Sequence, residues 1–283
     1  MLNILMKSMR IGRLTESHPF DARPSFGFPV IEFSRCTLCD RCVSACPTGA
    51  IRITAVNAAQ RCLSLSYAAC IQCRACVAAC PDQAIRSGHD VDIATFTRQQ
   101  LDHAALFDID QTTGQPHVCA AAPPAGPTLE EGAAQLKARI HGRLGRSLHV
   151  RQVDAGSCNG CELEIAATVN PMFDLEQYGI HIVASPRHAD VLLVTGPVTR
   201  NMQHALKATY AAAPDPRIVV AVGACGCSGG IFGDDTYASR GGVDGTIPVD
   251  LYIPGCPPRP QAIVNGLLVA MGIREAKSHP VLP

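Results

Sequence analysis

Residues 36–52, CTLCDRCVSACPTGAIR, and residues 70–86, CIQCRACVAACPDQAIR, align without a gap at an offset of 34. Each is a C-x2-C-x2-C-x3-C-P run: Cys36, Cys39, Cys42 and Cys46 before Pro47, then Cys70, Cys73, Cys76 and Cys80 before Pro81. In such a run the first three thiolates share a tight loop and grip three corners of one cubane, while the fourth reaches the cube of the other run. The spacing therefore predicts one [4Fe–4S] cluster on Cys36, Cys39, Cys42 and Cys80, and another on Cys70, Cys73, Cys76 and Cys46. Zinc sites combine two ligand pairs, not four cysteines at this pitch twice over. Disulfides need an oxidising compartment, and the first residues show none of the charged, apolar and cleavage regions of a secretory signal.

Outward from these runs, roughly residues 30–90 resemble a bacterial two-cluster ferredoxin. A chain of 283 residues allows about two domains. Equal numbers of acidic and basic residues argue against a nucleic-acid surface. No apolar run approaches the roughly 20 residues that span a bilayer, so the chain is expected to be soluble or peripheral. In residues 1–14, Leu2, Leu5, Met6 and Met9 fall at helical spacing opposite Asn3, Lys7, Arg10 and Arg13, which fits an interfacial or partner-docking helix or one packed on its own domain. Domain boundaries are expected at 1–90, 91–146 and 147–283. Residues 88–128 lack clear periodicity and end in the Ala, Pro and Gly run Ala120–Pro127, which reads as a linker. Asp108, Asp110 and Gly114 only faintly resemble a calcium loop, because Cys119 stands where the bidentate Glu belongs. Thr128 and Glu131 then form a capping-box pattern for a tethering helix with the stripe Leu129, Ala133, Leu136, Ile140 and Leu144 and with Arg139, Arg143 and Arg146 near its end.

From residue 147 the pattern alternates. Strands are predicted at Leu148–Val153, Ile180–Ala184, Val191–Thr195, Ile218–Val222 and Asp250–Ile253, and helices at Glu162–Val169, Arg200–Ala212 and Pro260–Met271. Short β-branched runs between helices imply a parallel sheet covered on both faces. Cys158 and Cys161 in DAGSCNGCE, Cys225 in VGACG and Cys256 in IPGCPP all follow predicted strands. Loops at the carboxyl ends of parallel strands converge on one crevice, so these four are candidate ligands of a third [4Fe–4S] cluster. Arg259 could supply charge or hydrogen bonds to the sulfurs.

Residues 146–275 resemble the small subunit of the energy-converting, membrane-bound [NiFe] hydrogenases, which include formate hydrogenlyase and are related to the quinone-site cluster subunit of respiratory complex I. The matching segments are RSLHVRQVDAGSCNGCELEI (146–165), YGIHIVASPRHADVLLVTGPVTRNM (178–202), VVAVGACGCSGGIFG (219–233) and VDLYIPGCPPRPQAI (249–263). Residues 1–90, including GRLTESHP (12–19), resemble the ferredoxin-type subunit of the same complexes; the fusion is unusual. The resemblance implies a flavodoxin-like fold, one proximal cluster and a nickel-bearing large subunit as partner. In the complex I subunits the first two ligands are adjacent, whereas Asn159 and Gly160 separate Cys158 from Cys161, as in the hydrogenases. Cys227 departs from the family pattern and competes with Cys225, which matches the family's GAC position.

Glu162 and Glu164 follow the ligand pair at a helix start, where carboxylates serve the dipole or, beside a large-subunit interface, relay protons. Cys62 and Cys119 lack a partner pattern. The chain is expected to be an α/β protein, an α+β ferredoxin-like module followed by a parallel-sheet domain. Its expected role is to relay electrons through three [4Fe–4S] clusters between a redox partner, such as a ferredoxin or a dehydrogenase, and the large subunit. Membrane subunits at the inner face of the cell membrane would complete that complex. The rival readings are a complex-I-like quinone-reducing module without nickel and an assembly or structural iron–sulfur protein.

Overall fold

The computed structural model describes residues 2–12, 20, 26–122, 126–140, 147–233 and 235–280. Helix α1 (Leu2–Ile11) presents Met6, Met9, Ile11, Lys7 and Arg10 to solvent. Arg13 and the side chains of Leu2, Asn3 and Leu5 lie outside the described residues.

The dicluster half contains β1 (Pro29–Ile31), α2 (Arg41–Ala45), β2 (Ile51–Ala55), β3 (Gln60–Ser66), α3 (Ala75–Ala79) and β4 (Ile85–Ser87). Strands β1 and β4 pair antiparallel. The duplication reaches the backbone: positive φ recurs at Leu38 and Gln72, at Asp40 and Arg74, and at Gly49 and Gln83. These pairs share the offset of the cysteine runs. Five of the six are not glycine, so the left-handed conformation carries a steric cost that the surrounding loop must hold in place.

The expected linker is not one. Residues Val91, Ile93, Ala94, Thr95 and Phe96 are buried, and β5 (Asp102–Ile109) and β6 (Pro116–Ala122) follow. They extend an antiparallel sheet in the order β2-β3-β5-β6, and Asp108–Gly114 spans the turn between its last two strands. Asp110 shapes that turn by accepting from the amides of Thr112 and Thr113 at 2.7 and 3.2 Å. Residues 91–96 give no local signal because they are covered on both sides and show no alternation. In β6 the reason is the opposite, since nearly the whole edge strand is exposed.

Helix α4 (Leu129–Ile140) begins at a reciprocal capping box: Thr128 N donates to Glu131 at 2.8 Å and Glu131 N to the Thr128 hydroxyl at 3.2 Å. Leu136 is buried, and a Cβ at Gly132 would strike Phe96, so the helix lies against the 91–96 segment. Ala133 is exposed, which narrows the expected stripe. The side chains of Arg139 and Ile140, and residues 143, 144 and 146, lie outside the described residues. Thr128→Ala should cost about 1 kcal/mol and raise amide exchange selectively in the first turn of α4, with uniform exchange as the contrary result.

The second half comprises β7 (Leu148–Asp154), α5 (Gly160–Ala167), β8 (Ile180–Ile182), β9 (Val191–Thr195), α6 (Arg200–Ala212), β10 (Ile218–Val222), α7 (Gly223–Ser228), β11 (Leu251–Ile253) and α8 (Pro260–Ala270). Its parallel sheet runs β8-β7-β9-β10-β11, which is the flavodoxin-like 2-1-3-4-5 order. Every residue of β9 and β10 is buried, the mark of strands covered on both faces. Helix α8 is buried all round because it is wedged between the halves. A Cβ at its Gly266 would run into Ile253 of β11, with Ala94 on the other side.

The halves are joined closely. Thr95 bridges Tyr252, Ala94 bridges Lys277, Lys277 pairs with Asp90, and Gln261 donates to Asp92 at 3.1 Å. The protein is thus a mixed α/β chain with an antiparallel ferredoxin-like region packed on a five-stranded parallel sheet.

Candidate metal centres

Short helices position the first two cysteine sets. Each run enters its helix through a left-handed residue, Asp40 or Arg74, and leaves it at its fourth cysteine, Cys46 or Cys80. That exit swings the fourth sulfur across to the other run. Cys46 lines a small pocket with Cys70, Cys73 and Cys76, walled by Ile51, Leu65 and Val77. Cys80 lines another with Cys36, Cys39 and Cys42, walled by Ile53, Ala84 and Ile85.

Each set repels its own protons' departure. Burial and the charges of Cys36, Cys39 and Cys80 push the Cys42 thiol up to about 11. Burial, and then Cys46 and Cys73, push Cys76 up to about 12. Cys46 differs: burial would raise it, but the amides of Ile51, Thr48 and Ala50 and the Thr48 hydroxyl bring it below the usual thiol value. The Ala50 amide donates to its sulfur at 3.2 Å, as Leu38 N does to Cys36 at 3.5 Å. Amides aimed at sulfur stabilise thiolate, and bound iron would offset the remaining repulsion.

The third set stands at the carboxyl ends of β7, β10 and β11. Asp154 ends β7 and accepts from the amides of Gly156 and Ser157, both at 2.8 Å, which turns the chain toward Cys158. Asn159, at φ +69°, then starts α5, with Cys161 in its first turn. Cys225 lies in α7, a short glycine-containing helix with no periodic pattern to announce it, and Cys256 follows β11. Burial first, then Glu162, Cys225, Cys256 and Cys158, drive the Cys161 thiol far up. Burial, Cys256 and Cys158 push Cys225 up to about 11.

Glycine makes room for these sulfurs. Gly223 has φ +82°, and a Cβ there would stand 2.6 Å from Cys161 Sγ. Gly255 has φ +141°, and a Cβ there would stand 2.6 Å from Pro258 Cα. Cys227 points elsewhere: it is fully buried and its thiol donates to Ala221 O at 3.6 Å. Among the described residues no three His, Cys, Asp or Glu side chains converge on a point that would hold one ion. Sulfurs arranged around a cavity suit a polynuclear cage, so the donor sets fit iron–sulfur clusters.

Glu162 Oε1 accepts from the Thr195 hydroxyl, while its Oε2 is buried without a hydrogen-bond partner among the described residues. Glu164 is half-buried; desolvation raises its carboxyl and Arg259 lowers it. Nothing in their sequence positions distinguishes the two carboxylates.

Fold and sites together define an iron–sulfur electron-transfer protein of two joined modules. Residues 28–81 match the family described as 4Fe-4S dicluster domain, and residues 158–270 match NADH ubiquinone oxidoreductase, 20 Kd subunit. Over 152 residues the chain is 51% identical to formate hydrogenlyase subunit 7 of Escherichia coli, covering 54% of this chain and 59% of that protein. It is 48% identical to "Probable membrane-bound hydrogenase subunit mbhJ" of Pyrococcus furiosus over 50% of this chain and 83% of that protein. It is also 50% identical to a subunit of the NADH-quinone oxidoreductase of Citrifermentans bemidjiense over 38% of this chain and 62% of that protein. The chain belongs to the family of the NADH ubiquinone oxidoreductase 20 Kd subunit and its hydrogenase relatives, with a dicluster domain joined to it. Among the described residues no helix is long and apolar enough to cross a membrane.

Proposed function

We propose that this chain is the electron-transfer subunit of a membrane-associated [NiFe]-hydrogenase or formate-hydrogenlyase-like complex. Its three [4Fe–4S] clusters would be held by Cys36, Cys39, Cys42 and Cys80; by Cys46, Cys70, Cys73 and Cys76; and by Cys158, Cys161, Cys225 and Cys256. When bound, each cluster supplies a one-electron carrier.

The observation that carries this reading is the order of the three sites. The second run backs onto the third set, because Ser228 at the end of α7 donates its hydroxyl to Ala68 O at 2.9 Å, just ahead of Cys70. The Cys36 set then forms one end of the row and the third set the other. At that other end Cys158 and Cys256 are exposed, and Leu163, Ile231 and Phe232 leave 65%, 60% and 54% of their surfaces uncovered nearby. Uncovered apolar side chains beside a redox site suit a permanent protein partner. A nickel-bearing large subunit fits there, with an external redox protein at the Cys36 end and membrane subunits holding the complex at the inner face of the cell membrane. Spacing of Cys158 and Cys161 by two residues favours the hydrogenase branch over the quinone-reducing one.

The test is nickel content and H2-dependent dye reduction in one sample of the tagged chain, purified anaerobically with its partners. Nickel with activity is expected. An intact, iron-replete complex without either would replace this reading with the complex-I-like module.

Glu162, and less directly Glu164, would pass protons at the large-subunit face. Glu162→Gln should slow H2/proton exchange by roughly a hundredfold while the clusters stay reducible by a chemical reductant. Unchanged exchange in both Glu162→Gln and Glu164→Gln would remove the relay.

A further inference from the structure

Phe26 sits where the two halves meet. Its chain neighbours are tied to the dicluster half: Gly27 N donates to Gly88 O at 2.7 Å and Phe28 N to Asp90 O at 3.1 Å. The Phe28 ring packs edge-on against Tyr67 with centroids 5.4 Å apart. A Cβ at Gly27 would strike the Asp90 backbone, so this close approach allows no other residue there. Phe26 is thereby held at the rim.

Two guanidiniums share its ring. Arg74 lies 4.6 Å from the centroid and Arg259 lies 5.0 Å from it. Arg74 directly follows Cys73 of the second run, and Arg259 comes three residues after Cys256 of the third set. Like charges on these two cysteine loops would push them apart; the electron-rich face of the ring attracts both. The ring and Arg259 border an open cleft that Gln72, Glu164 and Cys256 also line. That side of the ring is open, while deeper in the seam Ser228 ties α7 to Ala68, just ahead of Cys70.

We propose that Phe26 is a positioning residue: by drawing Arg74 and Arg259 onto one ring, it sets the spacing between the Cys46–Cys70–Cys73–Cys76 site and the Cys158–Cys161–Cys225–Cys256 site. It thereby sets the electronic coupling between the two halves. This rests on the reading that both sites hold clusters. Phe26 is 38% exposed, so its removal leaves the core whole. The ties from Asp90, Asp92 and Thr95 keep the halves together in its variants.

The experiment is low-temperature electron paramagnetic resonance on the fully reduced full-length protein in its complex, comparing wild type with Phe26→Ala, Phe26→Leu and Phe26→Trp. Beyond the broadening that the two dicluster sites give each other, which a Cys158→Ala protein retains, wild type should show added broadening from interaction of the Cys70 site with the third site. Alanine and leucine should lessen that added broadening, since neither offers a π face, and tryptophan should keep it. Iron content, sulfide content and melting temperature should be the same in all four. Equal added broadening in wild type and Phe26→Ala, undiminished added broadening in Phe26→Leu, or none in an iron-replete wild type would overturn the proposal. A wild-type chain that binds no iron would overturn the cluster reading beneath it, which separates the two failures.

Discussion

In the proposed hydrogenase complex, Cys158→Ala should abolish H2-dependent dye reduction, a loss of at least about a hundredfold, with the two proposed sites of the dicluster half still loaded and reducible. Cys158 is exposed, at the face where the third set meets its proposed partner. Its loop is shaped independently of the sulfur, by the two amides that Asp154 accepts and by the Ser157 hydroxyl that takes the Asn159 amide at 3.0 Å. The substitution therefore removes a ligand without removing the turn. Iron analysis, electron paramagnetic resonance of the chemically reduced protein and the dye assay together check it. Persistence of H2-dependent reduction at the wild-type rate would show that electrons take another route out of the large subunit.

Gly223→Val should empty the third site with every candidate ligand cysteine left in the sequence. Two costs combine there. A β-branched residue at φ +82° is strained by roughly 1–3 kcal/mol. Its Cβ would also stand 2.6 Å from Cys161 Sγ, and overpacking of this kind costs about 1–3 kcal/mol more. Gly114→Ala separates the two contributions. Gly114 also has positive φ, +70°, but a Cβ there meets nothing within 4 Å. That variant should keep all its iron, whereas Gly223→Val should lose one cluster's worth and retain the signals of the other two. Full iron in Gly223→Val would mean that Cys161 does not belong to the third site.

Much of the site was legible because cluster binding demands particular residues at particular pitch. The crossing of Cys46 and Cys80, each to the other run, is expected from the three-residue gap before each, and the cavities group the same cysteines. The strands β9 and β10 were legible to the residue, being short, nearly all apolar and rich in β-branched residues. The capping box at Thr128 was legible because both partners are local.

The segment 91–122 was not. Residues 91–96 are buried by contacts with β11 and α8, which lie more than 150 positions away, and no local pattern encodes that cover. The turn chemistry of Asp110 to Gly114 was the one signal of the hairpin, and its acidic spacing resembles a metal loop as much as a turn. Nor could spacing separate Cys225 from Cys227. Both lie on α7, and only the fold turns one toward Cys158 and Cys256 and the other into the core against Ala221.

Sequence by itself determined the chemistry of this protein: three sets of four thiols, each at strand or helix ends, and the alternation that makes a parallel sheet. It did so because ligand identity, turn conformation and hydrophobic period are short-range properties. Tertiary structure decided the order of the sites, the burial of the supposed linker and the meeting of Arg74 and Arg259 at Phe26. Those depend on which surfaces two independently patterned modules bury against each other, and that is set by packing between residues far apart in the chain.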